Sequence, residues 1–210
     1  MTVPPHELRA RLLTATERSL AASSDFDLNP VSKEKRAAPL RDAAVLIGVY
    51  SSVDGPCVLL TRRAAHLKHH PNQVAFPGGK VEAKDAHIHA AALREAQEEV
   101  GLNPQNIEVL GSLAPHETVT GFSVTPVIGL ISSPFTPQID PCEVAEAFWV
   151  PLAHLTQVEN FSIHQRRWQS QTRKYYAIPF GPYYIWGATA RILRGLADPV
   201  SYTHLRAHET

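Results

Sequence analysis

Three glutamates stand close together in the stretch REAQEEVG, and their spacing is the strongest chemical signal in the chain. On a helix that advances about 100° per residue, Glu95, Glu98 and Glu99 project within an arc of roughly 100°. Glu95 and Glu99 repel each other at i,i+4, in the half of the helix where its dipole disfavours anions. A solvated acidic face is the simpler explanation, but a hard cation between the carboxylates would offset the repulsion. We therefore predict that these three side chains bind Mg²⁺ or Mn²⁺.

Two further features flank the glutamates. Arg94 precedes Glu98 by four residues, close enough on a helix to orient that carboxylate, although a surface ion pair is the alternative. Gly78 and Gly79 open the preceding loop, where glycine permits positive φ and close backbone approach, so a loop carbonyl could join the metal ligands or an amide could face a phosphate. An ordinary turn is the alternative for this pair. Metal next to phosphate is the arrangement that these residues indicate.

The element that must position the glutamates is a helix predicted over 87–100, with Asp85 as a candidate N-cap and Gly101 at its end. A second helix is predicted over 6–21, and a closing helix in YIWGATARILRGLA would include Gly187. Short apolar runs predict the strands AAVLIGVY, CVLLTRR, QVAFP, IEVLGSL, FSVTPVIGLI, EVAEAFWVP and RKYYAIPF, the first two joined as a hairpin through SSVDGP. Strands mixed with helices at uneven spacing predict an α/β or α+β layer fold with a mixed sheet between helices.

Composition and charge limit the classes of partner. Among the 210 residues, 20 Lys and Arg balance 20 Asp and Glu, so no overall field attracts nucleic acid or an anionic membrane, and a small-molecule partner is favoured. The apolar runs are far shorter than the roughly 20 residues of a membrane-spanning helix. Cys57 and Cys142 suit two reduced, partly buried thiols better than a disulfide, which predicts a cytoplasmic protein.

The chain is predicted to contain one globular domain. Residues 1–41 form the N-terminal helix and a polar connector, and residues 42–199 form the domain. The final stretch, 200–210, includes SYTHLRAHET, which resembles the translation of a transposase-type sequencing adapter. We exclude it from fold reasoning, because such segments are not part of a natural chain.

The stretch GGKVEAKDAHIHAAALREAQEEVGL resembles the Nudix box, the loop-helix signature of enzymes that hydrolyse nucleoside diphosphates linked to another group. The matching positions are Gly79, Arg94, Glu95, Glu98, Glu99, Gly101 and Leu102. Fourteen residues separate Gly79 from Arg94, one more than in the general pattern, and Asp85 stands near the first acidic position. Both departures resemble the coenzyme A-directed branch of the family.

The segments around the box are similar to the same branch. LLTRRAAHLKHHPNQVAFPGGK resembles its extended motif, and TVTGFSVTPVIG, EVAEAFWVPL and YYIWGATARIL resemble further blocks. The likeness covers roughly residues 43–197. Asn72 stands where that branch usually has glycine, and we expect the turn to form because asparagine tolerates left-handed backbone.

The resemblance implies a Nudix-type α/β/α sandwich and a metal-dependent cleavage of the pyrophosphate in coenzyme A, giving 4'-phosphopantetheine and adenosine 3',5'-bisphosphate. Glu98 is the first candidate for the general base, and Glu117 in the PHETVTG loop is the second. A hydrolase of ADP-ribose or a dinucleotide polyphosphate is the alternative within the same chemistry. A non-catalytic ligand-sensing module is the alternative from a different class. A homodimer is left open.

A run of cationic side chains precedes the box, comprising Arg62, Arg63, Lys68, His69 and His70. A solvated face is the ordinary explanation, but coenzyme A needs cations for its phosphates, and the resemblance favours Arg63 and His70 as substrate-binding residues. Glu143 and Glu146 suit a cleft and an exposed strand surface equally well.

Overall fold

The computed structural model describes residues 4–18, 21–29, 39–168 and 171–206, with the side chains of the last helix described as far as Ala197. The helices are α1 (Pro5–Glu17), α2 (Ile88–Val100), α3 (Leu152–Thr156) and α4 (Ala188–Arg206). The strands are β1 (Ser23–Ser24), β2 (Arg41–Ser52), β3 (Gly55–Arg63), β4 (Val74–Ala75), β5 (Gly78–Lys80), β6 (Ile107–Ser112), β7 (His116–Glu117), β8 (Phe122–Ile131), β9 (Val144–Pro151), β10 (Ser162–Trp168), β11 (Gln171–Phe180) and β12 (Tyr183–Trp186).

The described strands form two sheets. The larger sheet runs in the order β1-β7-β8-β2-β3-β4, with β5 paired to β2, β6 to β8 and β9 to β3. The pairs β2/β8 and β1/β7 are parallel, whereas the others in this sheet are antiparallel. The smaller sheet is the antiparallel set β10-β11-β12. The predicted mixed sheet is therefore confirmed.

Alternating side chains of β2 divide the core into two layers, because successive residues of a strand point to opposite faces of a sheet. Ile47 and Val49 pack in one buried cluster with residues of α1, α3 and α4. Ala44 and Leu46 pack in a second cluster with residues of α2. The larger sheet thus lies between helices. Helix α2 packs on one face, and α1, α3 and α4 pack on the other.

The helix predicted over 87–100 forms as Ile88–Val100, and Gly101 ends it in the left-handed conformation with φ 71°. The N-cap is His87, whose ring Nδ1 accepts a hydrogen bond from the amide of Ala90. The prediction that Asp85 caps the helix is wrong, because both of its carboxylate oxygens accept hydrogen bonds from Arg94.

The C-terminal part of the chain differs most from the prediction. Gly187 does not lie inside a helix: it adopts φ 65° between β12 and α4, where the extended YYIW stretch has paired with β11. The strand β10 was not predicted, since its sequence SIHQRRW shows no clear alternation. The backbone of α4 continues to Arg206, into the excluded segment, and residues 207–210 lie outside the described residues.

The predicted helix over 6–21 is shorter, spanning Pro5–Glu17, and the connector contains β1, with residues 30–38 outside the described part. None of the helices in the described residues is long and apolar enough to cross a membrane. Both cysteines are free thiols. Cys57 is half-buried as predicted, but Cys142 is exposed, since it lies in a turn before β9.

Candidate active site

Helix α2 presents small side chains to the sheet. Ala91, Ala92 and Ala96 are fully buried there, together with Val100. Small residues allow the helix backbone to approach the strands closely, so its polar side chains reach the adjoining strand β5. The alanine stripe therefore positions the glutamates against Gly78 and Gly79, which lie in this strand, paired with β2, rather than in the predicted loop.

The two glycines of β5 leave no room for a side chain. A Cβ atom added at Gly78 would lie 2.4 Å from the carbonyl oxygen of Ala44, and one added at Gly79 would lie 2.5 Å from the carboxyl carbon of Glu95. Contacts this short are not tolerated in proteins without displacement of a neighbour. The predicted close approach of the backbone is therefore confirmed, and Gly79 borders a carboxylate directly.

Glu99 is the most deeply buried of the three glutamates, with 3% of the residue exposed. Its carboxylate accepts a hydrogen bond of 3.2 Å from the amide of Gly78 and lies 3.8 Å from the guanidinium of Arg63. Burial raises the pKa of Glu99 to about 8, and the nearby carboxylates of Glu95 and Glu143 add to the rise. The site thus holds a carboxylate whose charge is only partly compensated by the chain.

The other two glutamates lie in different environments. Glu95 is mostly buried, and burial is the main cause that raises its pKa. Glu98 is 53% exposed and pairs with both Arg94 and Lys84. Glu99 is more buried than the other two because it follows Ala92 by two helical turns and so lies beside the buried stripe.

Arg94 links the loop to the helix. Its guanidinium donates to both carboxylate oxygens of Asp85, at 2.9 and 3.0 Å, and to the carbonyl of Lys80. It also donates to Glu95 at 2.9 Å and to Glu98 at 2.7 Å, so the predicted contact with Glu98 is present. Hydrogen bonding to Arg94 lowers the pKa of Asp85 to about 2.

Glu143 joins this site from a distant part of the sequence. Its charge contributes to the raised pKa of both Glu95 and Glu99, and its backbone carbonyl accepts a hydrogen bond from Ala64. Glu146, in contrast, binds Arg62 and accepts a hydrogen bond from Tyr183. The sequence left both residues undecided, because only the pairing of β9 with β3 determines which of them lies near α2.

The donor set suits a hard divalent cation. Within the described ranges, no group of three or more His, Cys, Asp or Glu side chains is already arranged around a common point. Arg94 holds Glu95 and Glu98, and Gly78 holds Glu99. Two carboxylates with raised pKa values beside the glycines of β5 nevertheless provide oxygen ligands whose charge is only partly compensated, and Mg²⁺ and Mn²⁺ prefer such ligands. The residues therefore fit such an ion, and the assignment of the three glutamates as its ligands stays a prediction.

The cationic segment before the box is only partly at the site. Arg63 ends β3 and reaches Glu99, as described above. His70 is exposed in the following loop with φ 55°, and no described hydrogen bond or ion pair joins it to the carboxylates. Asn72 adopts φ 59°, which confirms that it takes the left-handed turn. The role of His70 in substrate binding stays a prediction.

Glu117 lies on the same side of the sheet as α2. It pairs with Ser123 of β8, and Ser123 pairs with Asp42 of β2. Paired residues point to the same face, and Asp42 shares its face with Ala44, which packs against α2. The side chain of Glu117 therefore points to the face of the sheet that carries α2, and its role in catalysis stays a prediction.

The mixed sheet, the acidic helix and the two glycines of β5 together form an α+β domain with a cluster of carboxylates suited to a hard cation. The NUDIX domain model matches residues 39–171, and the chain belongs to this family. It is 45% identical over 157 residues to the protein named Uncharacterized Nudix hydrolase NudL from Salmonella paratyphi B (strain ATCC BAA-1250 / SPB7), a match that covers 75% of this chain and 81% of that protein.

This chain is also similar to chains of solved structures. The Nudix hydrolase RenU from M. Smegmatis is 26% identical with a TM-score of 0.49, covering 59% of this chain and 78% of its own. The NUDIX domain of Shewanella oneidensis NrtR, complexed with ADP ribose, is 22% identical with a TM-score of 0.44, covering 59% and 81%. The family expected from the Nudix box is confirmed by the family model and by NudL, and the protein is a Nudix hydrolase.

Proposed function

We propose that this hydrolase cleaves the pyrophosphate of coenzyme A or one of its derivatives, giving 4'-phosphopantetheine and adenosine 3',5'-bisphosphate. The observation that carries the proposal is the position of Arg63, whose guanidinium lies 3.8 Å from the buried carboxylate of Glu99. A phosphate-binding cation thus stands beside carboxylates suited to a metal ion. The longer spacing from Gly79 to Arg94, with Asp85 bound to Arg94, supports the coenzyme A branch.

Glu95, Glu98 and Glu99 would hold Mg²⁺ or Mn²⁺. A bound cation supplies positive charge that neutralises the diphosphate and makes attacking water more acidic. The chain itself orients the carboxylates: the amide of Gly78 fixes Glu99, and Arg94 fixes the other two. Arg63 would contact a phosphate oxygen, and His70 would reach the substrate from the neighbouring loop.

Two residues were candidates for the general base. The carboxylate of Glu98 already accepts a hydrogen bond from Arg94 and lies 3.7 Å from Lys84, so two cations already occupy its oxygens. The side chain of Glu117 points to the sheet face on which α2 lies, so its carboxylate would face a substrate held against the helix. We therefore assign the base role to Glu117, which would take a proton from the attacking water, and assign Glu98 to metal binding.

The wider setting follows from the same proposal. The partner is a small nucleotide-containing molecule, and neither nucleic acid nor membrane is required. Cytoplasmic location and assembly as a homodimer stay predictions from the sequence.

Mass analysis of products formed in ¹⁸O-water tests the proposal directly. Purified protein is incubated with coenzyme A or ADP-ribose, with and without Mg²⁺ or Mn²⁺, and Glu99→Gln serves as the control for contaminating hydrolases. We expect metal-dependent formation of 4'-phosphopantetheine, with label in one product identifying the phosphorus attacked. A strong preference for ADP-ribose would overturn the coenzyme A assignment and leave the Nudix chemistry intact.

A further inference from the structure

A short segment near the N-terminus is joined to the loop that carries Glu117. The backbone amide of Ser23 donates to the carbonyl of Pro115 at 3.1 Å, and the amide of Asp25 donates to the carbonyl of Glu117 at 2.9 Å. Here β1 pairs in parallel with β7. The family model begins at residue 39, so this segment lies outside the region that the family match accounts for.

Side chains strengthen the same connection. His116 is fully buried, with one ring nitrogen 2.8 Å from the hydroxyl of Ser23 and the other 3.1 Å from Oδ1 of Asp25. The second carboxylate oxygen of Asp25 accepts a hydrogen bond of 2.9 Å from the amide of Val119. Asp25 therefore holds the chain on both sides of Glu117.

The two residues of β7 point to opposite faces of the sheet. His116 pairs with Val124, which packs against the cluster formed with α1 and α4. Glu117 points to the face that carries α2, as its pairing with Ser123 requires. Contacts to His116 on one face thus restrain the backbone from which Glu117 projects on the other face, because the two residues are adjacent in a two-residue strand.

We propose that Asp25, acting with Ser23 and His116, is a positioning residue that holds Glu117 in place for proton abstraction. This inference rests on the proposed function, since it assigns a structural partner to the base of that reaction. Asp25 touches no substrate. Its effect on turnover is exerted through the geometry of the Glu117 loop.

The chain offers a matched control in the same segment. Asp27 binds Arg191 of α4, at 2.7 Å, and makes no described contact with residues 115–119. Replacing Asp27 by alanine removes an ion pair that ties the segment to the domain but leaves the contacts of Asp25 intact. Asp25→Ala removes the side-chain contacts on both sides of Glu117 and keeps the backbone hydrogen bonds. The two variants separate positioning of the loop from general stabilisation of the fold.

The test is a double-mutant cycle with coenzyme A as substrate, measured on the full chain. Glu117→Gln should lower kcat by about 10²–10⁴-fold, the usual contribution of a general base. Asp25→Ala should lower kcat at least tenfold with KM within about twofold, and should cause no further loss when Glu117 is already glutamine. Asp27→Ala should keep the wild-type kcat. Amide exchange at Glu117 and Val119 should accelerate in Asp25→Ala and not in Asp27→Ala.

The outcomes are distinct for the two proposals. A wild-type protein that hydrolyses no nucleoside diphosphate derivative refutes the proposed function, and the positioning role falls with it. An active wild type refutes the positioning role alone if Asp25→Ala and Asp27→Ala lose equal turnover, or if Asp25→Ala and Glu117→Gln lose turnover additively. If Asp25→Ala does not fold, Asp25→Asn is measured instead. This variant keeps one acceptor oxygen, so it should lose a smaller part of the wild-type turnover than expected for Asp25→Ala.

Discussion

The buried carboxylate of Glu99 should make the metal-free protein less stable as the pH rises. The folded state raises the pKa of Glu99 from 4.5 to about 8, so the folded state binds the proton more tightly than the unfolded state does. The free energy of unfolding must therefore fall as the pH rises from about 4.5 to about 8. Each pKa unit corresponds to about 1.4 kcal/mol, which gives a loss on the order of 4 kcal/mol by pH 8.

Glu99→Gln isolates this effect. Glutamine has nearly the same shape and keeps an oxygen that can accept the hydrogen bond from Gly78, but it never ionises. In the metal-free state, the variant should match the wild type near pH 4.5 and should be the more stable protein by a few kcal/mol near pH 8. The same substitution should reduce turnover by about 10²–10⁴-fold, because a ligand to the cation is lost.

Urea unfolding at four values between pH 5 and pH 8, in the presence of a chelator, measures the difference. Glu159→Gln is the control, since Glu159 is exposed, and its difference from the wild type should stay near zero throughout. Added Mn²⁺ should stabilise the wild type more than Glu99→Gln. If Glu99→Gln is the less stable protein at pH 8 without metal, the argument from burial is wrong.

Substitutions at three further positions test the segments around the site. Gly79→Ala should reduce turnover at least tenfold with little change in circular dichroism, because its Cβ would lie 2.5 Å from the carboxyl carbon of Glu95 and displace it. Asp85→Asn should lower the thermal midpoint at pH 7, and the difference should shrink below about pH 4, because Asp85 binds Arg94 with a pKa of about 2 and that stabilisation is lost on protonation. Asn72→Gly should keep wild-type stability, whereas Asn72→Val should cost roughly 1–2 kcal/mol in urea unfolding, because a β-branched side chain clashes at φ 59°.

Local signals predicted the centre of the site well. The spacing of the glutamates and the position of Gly101 depend only on helical geometry. As expected, the three glutamates lie on α2 and Gly101 ends the helix. The hairpin of β2 and β3 follows from two apolar runs around a turn. Gly78 and Gly79 were identified by residue type alone, since glycine is the residue that permits a backbone to lie against other atoms.

Interactions between distant segments decided the features that were missed. The position of Asp85 suggested a helix cap. Its carboxylate instead accepts charge-assisted hydrogen bonds from Arg94, which are stronger than a capping hydrogen bond to a backbone amide. His87 caps the helix in its place. The burial of Glu99 required the sheet against which α2 packs. No periodicity within a single segment contains that information.

The segment 115–121, which contains Glu117, shows most clearly that contacts between distant segments cannot be predicted from local sequence. Its sequence PHETVTG offers a histidine and a glutamate side by side, and residue type alone favours neither a catalytic nor a surface role. The pairing of β7 with β8 sends the two side chains to opposite faces, which separates a buried structural histidine from a carboxylate on the side of α2. The histidine then binds Asp25, 91 residues earlier in the chain. Because a strand register reverses the faces when it shifts by one residue, the assignment of Glu117 as the base depends on that pairing more than on the loop sequence itself.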